Sequence, residues 1–175
     1  TSDAEYYNHF RPDSGTAPAS DPAVFADMDH AWTINSAYDF GLLEAAGTIV
    51  VSAADASTSV PTLEIVANTN LLGSGHLDVD TNGTITLTET NGDLRVGIIR
   101  STAADVDLSS QAAIVDAFDD SDGNILGRNI TLTAGTDIGS AGNYLDIDSS
   151  SPSDGVLNAT ADQDIFIAET DGDLN

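Results

Sequence analysis

Apolar and polar residues alternate through much of this chain. Leu77 and Val79 stand between His76, Asp78 and Asp80, and Ile85 and Leu87 stand between Thr84, Thr86 and Thr88. A period of two places successive side chains on opposite faces, so each run reads as a strand with one buried and one wet face. Gly, Asn, Asp and Ser close the runs, the chemistry of tight turns. The same reading predicts strands at 48–52, 62–66, 104–108, 113–116, 129–133 and 145–148, with shorter ones at 155–158 and 164–168.

The runs also repeat. LDVD (77–80) returns as LDID (145–148), and TITLTETNGDL (84–94) returns as DIFIAETDGDL (164–174). The second offset is the longer one, so the second copy carries an insertion between its halves. Strand-like positions recur at intervals of roughly 20–24 residues, from Ile85 to Val106, Leu94 to Ile114, Val106 to Ile130 and Leu145 to Ile165. Such a recurrence matches one coil of a β-solenoid, in which each strand stacks on its equivalents in the coils above and below. A right-handed parallel β-helix is the expected fold. A β-sandwich or jelly roll is the alternative, since it too is built from many short strands.

GTITLTETNGDLRVG, NITLTAGTDIGSAGNYLDID and DIFIAETDGDL resemble the repeats of long bacterial exoproteins of the filamentous-haemagglutinin type, over about 47–175. The resemblance implies a secreted, extended parallel β-helix that serves in adhesion or surface structure. The chain departs from that pattern in showing no recognisable N-terminal secretion domain.

Residues 1–46 differ in composition. Three prolines fall in RPDSGTAPASDP (11–22), a linker-like run, and Phe25, Met28, Trp32, Tyr38 and Phe40 follow. Ser36 is placed to cap a short helix through AYDFGLLEAA, against the helix-weakening Gly41. Repeat arrays need terminal elements over the open end of their core. The expected organisation is a 1–46 cap or docking segment, with those five side chains as its interface, followed by a 47–175 solenoid. The repeat breaks off at Asn175, where its first copy continues into Arg95-Val96-Gly97, so the chain reads as a piece of a longer array that associates head to tail into a filament.

Charge changes the picture most. There are 24 Asp and 5 Glu against 4 Arg and no Lys, a formal charge of −25. With 41% hydrophobic residues the chain still has the material for a core. Such a surface repels nucleic acid and anionic membranes and suits cations, high salt or a basic partner. Cysteine is absent, which excludes disulfides and thiolate metal sites. No apolar run is long enough to span a membrane, and no basic-then-apolar signal segment opens the chain.

Calcium is the expected ion. The densest acidic cluster is Asp116, Asp119, Asp120, Asp122 and Asn124 in DAFDDSDGN. A helix-loop-helix calcium loop would need an oxygen ligand where Phe118 stands and Glu where Asn129 stands, so only a looser turn site remains. The turns Asn91-Gly92-Asp93 and Asp171-Gly172-Asp173 offer Asp93, Asp171 and Asp173 as further ligands, although such dipeptides form turns without any ion. Asp78, Asp80, Asp146 and Asp148 read as a wet face.

Catalytic signatures are missing. The three His show no metal-ligand spacing, and neither a phosphate-binding loop nor a GxSxG elbow is present. Threonine rows at 84/86/88 and 131/133 suggest a flat binding face for ice, but Glu89 and Asp137 are expected to break them, and β-branched residues fill strands in any case. Asn82, Asn129 and Asn158 head Asn-x-Thr glycosylation sequons. The expected function is a non-enzymatic extracellular structural or adhesive protein, whose partners are further copies and cell-surface glycans or proteins. The alternative is a carbohydrate-active β-helix enzyme.

Overall fold

The computed structural model describes residues 30–34, 39–44, 49–53, 62–70, 75–150, 153 and 155–174; up to Leu63 it describes the backbone alone. Every regular element among them is a strand: β1 (His30–Ile34), β2 (Asp39–Glu44), β3 (Ile49–Ala53), β4 (Thr62–Asn68), β5 (Leu77–Thr81), β6 (Thr84–Glu89), β7 (Leu94–Ser101), β8 (Val106–Ser110), β9 (Ile114–Asp116), β10 (Ile125–Leu126), β11 (Ile130–Ala134), β12 (Leu145–Asp148), β13 (Leu157–Ala161) and β14 (Ile167–Glu169).

These form two parallel sheets. One runs β1-β3-β5-β7-β10-β12-β14, with β9 also on β7, and the other runs β13-β11-β8-β6-β4-β2. Successive strands of the chain mostly alternate between the sheets, so each pair makes one coil and each neighbour in a sheet is one coil away. The chain is a β-solenoid. Apolar residues stack in register inside it: Ile85 on Val106, Val106 on Ile130, Ile130 on Leu157. In the other sheet Val79 lies on Ile99, Ile99 on Ile125, and Ile125 on Ile147. All of these except the half-buried Leu157 are at most 1% exposed, which is how coils of short strands assemble one continuous core.

Three of the four spacings read from the sequence are true coil-to-coil pairs. The fourth is corrected: Leu145 stacks on Ile167, while Ile165 bridges Ile138. The longest strand, β7, was not expected, because its alternation slips. Gly97 and Ile98 form a bulge, with Val96 opposite Leu77 and Ile99 opposite Val79, so the buried positions shift by one within the strand. A side chain at Gly97 would run into Asp78 and His76.

The sheets also begin ahead of residue 47. β1 pairs with β3 and β2 with β4. The helix expected after Ser36 is instead strand β2, since Phe40 and Leu42 around Gly41 suit a pleated strand better than a helix. Trp32 and Phe40 lie in β1 and β2; Phe25, Met28 and Tyr38, with their interface role, lie outside the described residues.

The repeat has a different meaning from the one its spacing suggested. LDVD and LDID are equivalent positions in the same sheet, in β5 and β12. TITLTE is β6 of the second sheet, whereas its copy ends in β14 of the first. The position equivalent to β6 after LDID is taken by β13, so the extra residues supply half a coil. What the second motif repeats is the corner that follows the strand.

Candidate functional site

The two corners have the same wiring. At the first, the Glu89 carboxylate accepts hydrogen bonds from Thr69 N at 3.1 Å, Thr69 Oγ1 at 2.8 Å and Asn91 N at 3.2 Å. At the second, Glu169 accepts from Ser149 N and Ser149 Oγ, both at 2.8 Å. The next residue donates its backbone N–H and its hydroxyl to one carbonyl of the neighbouring coil: Thr90 to Ala67, Thr170 to Ile147. Gly92 and Gly172 then turn the chain at φ 73° and 84°, a left-handed conformation that favours glycine. Each motif Glu-Thr-x-Gly-Asp-Leu staples its own coil to the one before it.

Other acids do the same. Asp78 accepts from Ile98 N, Asp93 from Ala113 N, Asp105 from Asn129 N and Asp137 from Asp164 N, each across to the next coil. Much of the Asp excess thus serves backbone N–H groups that the corners leave without ladder partners. Arg100 pairs with Asp80 and Arg128 with Asp105, again between coils, and Arg95 lies 3.8 Å from Asp93. In the strand ladders Asp80 faces Arg100, and Asp107 faces Thr86 and Thr131. Glu89 points into the core and leaves the threonine rows intact; Glu64 and Asp107 are the acids that interrupt them.

The acidic cluster of the sequence forms a loop between β9 and β10, two short strands that follow one another along β7. Asp116, 5% exposed, organises it. Its Oδ1 accepts from Phe118 N and Asn124 Nδ2, both at 2.9 Å, and its Oδ2 from Asp120 N at 3.2 Å. Asp120 in turn accepts from Asp122 N, and Asp119 holds a left-handed φ of 54°. Asn124 Oδ1 accepts from Asp146 N on the next coil. Asp119 and Asp122 are exposed, as are Asp171 and Asp173 at the second corner. Among the described residues no three His, Asp or Glu converge as a metal-binding set, and the Asp116 and Asp120 oxygens cap backbone N–H groups of the loop.

Two carboxyls titrate above their ordinary range. Burial pushes Glu89 up, against the hydrogen bonds from Thr69 and Asn91 that pull it down. Asp146 is raised by burial and then by the negative charges of Asp116 and Asp120. Reading the sequence as a wet face missed Asp146, because its burial comes from the loop of the preceding coil. Asn143 donates to Asp116 O at 3.3 Å, and its own buried Oδ1 accepts no hydrogen bond.

Rings gather beside this loop. His76 and Phe118 meet edge to face with centroids 4.8 Å apart, and Tyr144 and Phe166 lie 5.9 Å apart. Sequence reasoning singled out neither pair, since each joins residues of different coils.

Of the sequons, Asn158 is exposed on the outer face of β13. Asn129 is engaged, donating to Asp105 and accepting from Val156 N. Among the described residues no helix is long and apolar enough to cross a membrane.

No protein-family model, curated protein or solved structure matches this chain. The functional reading rests on its own chemistry.

Proposed function

We propose that this chain is a non-enzymatic structural or adhesive element of the cell exterior, a stretch of β-solenoid that assembles lengthwise with further copies. The observation that carries this reading is the recurrence of one kind of contact along the described coils: Asp78, Asp93, Asp105, Asp137, Arg100 and Arg128 each engage a neighbouring coil. A solenoid that stacks on itself through backbone pairing extends by the same pairing, since an open coil presents unpaired N–H and C=O groups. The acidic surface suits calcium or high salt, acting as a diffuse screen over the charges in the turns, such as Asp137 beside Asp164.

Light scattering against protein concentration, in calcium and in chelator, tests the assembly. The reading expects particles that lengthen with concentration and with calcium or salt. A strict monomer at high concentration in both conditions contradicts it.

One observation favours the rival, a carbohydrate-active enzyme: Asp146, raised by burial, lies near Asp116 and Asp120, and paired carboxyls of unlike environment are the chemistry of glycosidases. Release of reducing ends from polysaccharide, abolished by Asp146→Asn, would establish that rival.

A further inference from the structure

The two ring pairs lie along one flank of the solenoid. His76 precedes β5, Phe118 follows β9, Tyr144 precedes β12 and Phe166 precedes β14, and these strands stack coil on coil in one sheet. The coil between His76 and Phe118 contributes Gly97, whose lack of a side chain leaves room for His76 and Asp78. The two ring pairs therefore follow one another along the solenoid axis, and at about 4.8 Å per coil the coils from β5 to β14 that carry them span about 20 Å.

Several features set this line apart from scattered exposed residues. Phe118 is 53% exposed and Tyr144 47%, and Ile98 and Ile165 on the same sheet side are 49% and 46%. Each ring is braced by another from a different coil, so it is held in place. Asn143, next to Tyr144, donates to the carbonyl of Asp116, just before Phe118, so the ring pairs occupy neighbouring coils. The stripe is bordered by Asp119, Asp120, Asp122 and Asp164, all exposed. Carboxylates accept hydrogen bonds only.

We infer that this stripe binds an extended neutral polysaccharide whose sugars carry equatorial hydroxyls. Such sugars present flat C–H faces that stack on aromatic rings and a rim of O–H donors that meets the bordering carboxylates. A chain ligand matches a line of platforms that repeats along an axis. The formal charge of −25 repels acidic polysaccharides and so favours a neutral one. A basic peptide also satisfies acids and rings, but would bind through charge. This inference rests on the adhesive reading above and names the surface and the ligand class through which adhesion would act.

Native gels cast with hydroxyethylcellulose or mixed-linkage β-glucan test it, with polygalacturonate as the acidic counterpart. The intact chain is expected to be retarded by a neutral polymer, in low and high salt alike, and to run freely with polygalacturonate. Phe118→Ala with Tyr144→Ala is expected to weaken the apparent affinity by about tenfold. Both rings are half exposed, so the melting curve of that variant should stay close to that of the parent. No retardation by either neutral polymer, retardation unchanged in the variant, or binding abolished by salt would each overturn the proposal. If the stripe fails in this way while concentration-dependent assembly persists, the adhesive reading stands without it.

Discussion

The corners after β6 and after β14 share a sequence and a wiring, yet they occupy different sheets and different depths. Glu89 is fully buried, covered by the coil that places Ser110 beside it. Glu169 is half-buried, in the strand that stands last in its sheet among the described residues. The same short motif therefore makes a corner on either side of the coil, and its energetic weight is set by what stacks over it. A motif of this kind specifies a turn and a staple, while the count of residues between motifs specifies which sheet comes next.

The largest predicted difference follows directly. Removing the Glu89 side chain leaves the N–H and hydroxyl of the buried Thr69, and the N–H of the exposed Asn91, without their acceptor. Each of the buried groups costs about 1–3 kcal/mol, so Glu89→Ala should lower the unfolding free energy by about 3 kcal/mol or more. Glu169→Ala frees only two groups, both on the buried Ser149, and truncating the partly exposed Glu169 opens them to water, so it should cost less, about 1 kcal/mol. Chemical denaturation of the two variants measures both; equal losses would show that depth does not matter.

The glycines sharpen the comparison from the other side, because a positive φ is a local demand indifferent to sheet. Gly92→Ala and Gly172→Ala should each cost about 1–2 kcal/mol, with the two values alike. An added Cβ would also stand 3.1 Å from Asn70 at the first corner and from Ser150 at the second. A large disparity would mean that the corners are not equivalent in backbone.

Acidity bears on the buried corner as well. A carboxyl raised by burial favours folding in its neutral form, so the contribution of Glu89 is fully present below its ordinary value of 4.5 and is lost as pH rises through the raised value. Asp146 acts in the same direction, above its ordinary 3.8. Stability should therefore rise as the pH falls from neutrality toward that range. Glu89→Gln keeps an acceptor for Thr69 N and should flatten part of the rise. A melting temperature that falls steadily over that window in the parent would refute the assignment.

The smallest effect belongs to the acidic loop. Asp119 adopts φ 54° with a side chain, so Asp119→Gly should be neutral or stabilise by up to about 1 kcal/mol. A substantial loss would assign the Asp119 carboxylate a role that its geometry does not show.

Most of the strand positions and the stacking were legible in the sequence, because period two marks a strand and the longer recurrence of equivalent positions marks a coil. What escaped reading depended on neighbours one coil away. The bulge at Gly97 and Ile98 shifts the alternation of β7, and only its pairing with β5 reveals the strand. Glu89 looks like an exposed acid at the end of a threonine row until Thr69, one coil earlier, supplies the donors that let it be buried. The loop acids read as ion ligands from their spacing, which does not reveal that Asp116 also caps Phe118 and Asp120. The ring stripe was invisible for the same reason, since its members are as far apart in sequence as His76 and Phe118.

The central claim is that carboxylates at the coil edges, the buried Glu89 foremost, hold one coil to the next through backbone N–H groups. Amide hydrogen exchange at Thr69 tests it most directly, in the parent, in Glu89→Gln and in Glu89→Ala. The account predicts an amide as slow as those of β6 and β8 in the parent and still protected in Glu89→Gln. In Glu89→Ala it should exchange many times faster while Ile85 and Val106 remain slow. A Thr69 amide that exchanges freely in the parent, or that is unaffected by Glu89→Ala, would contradict it.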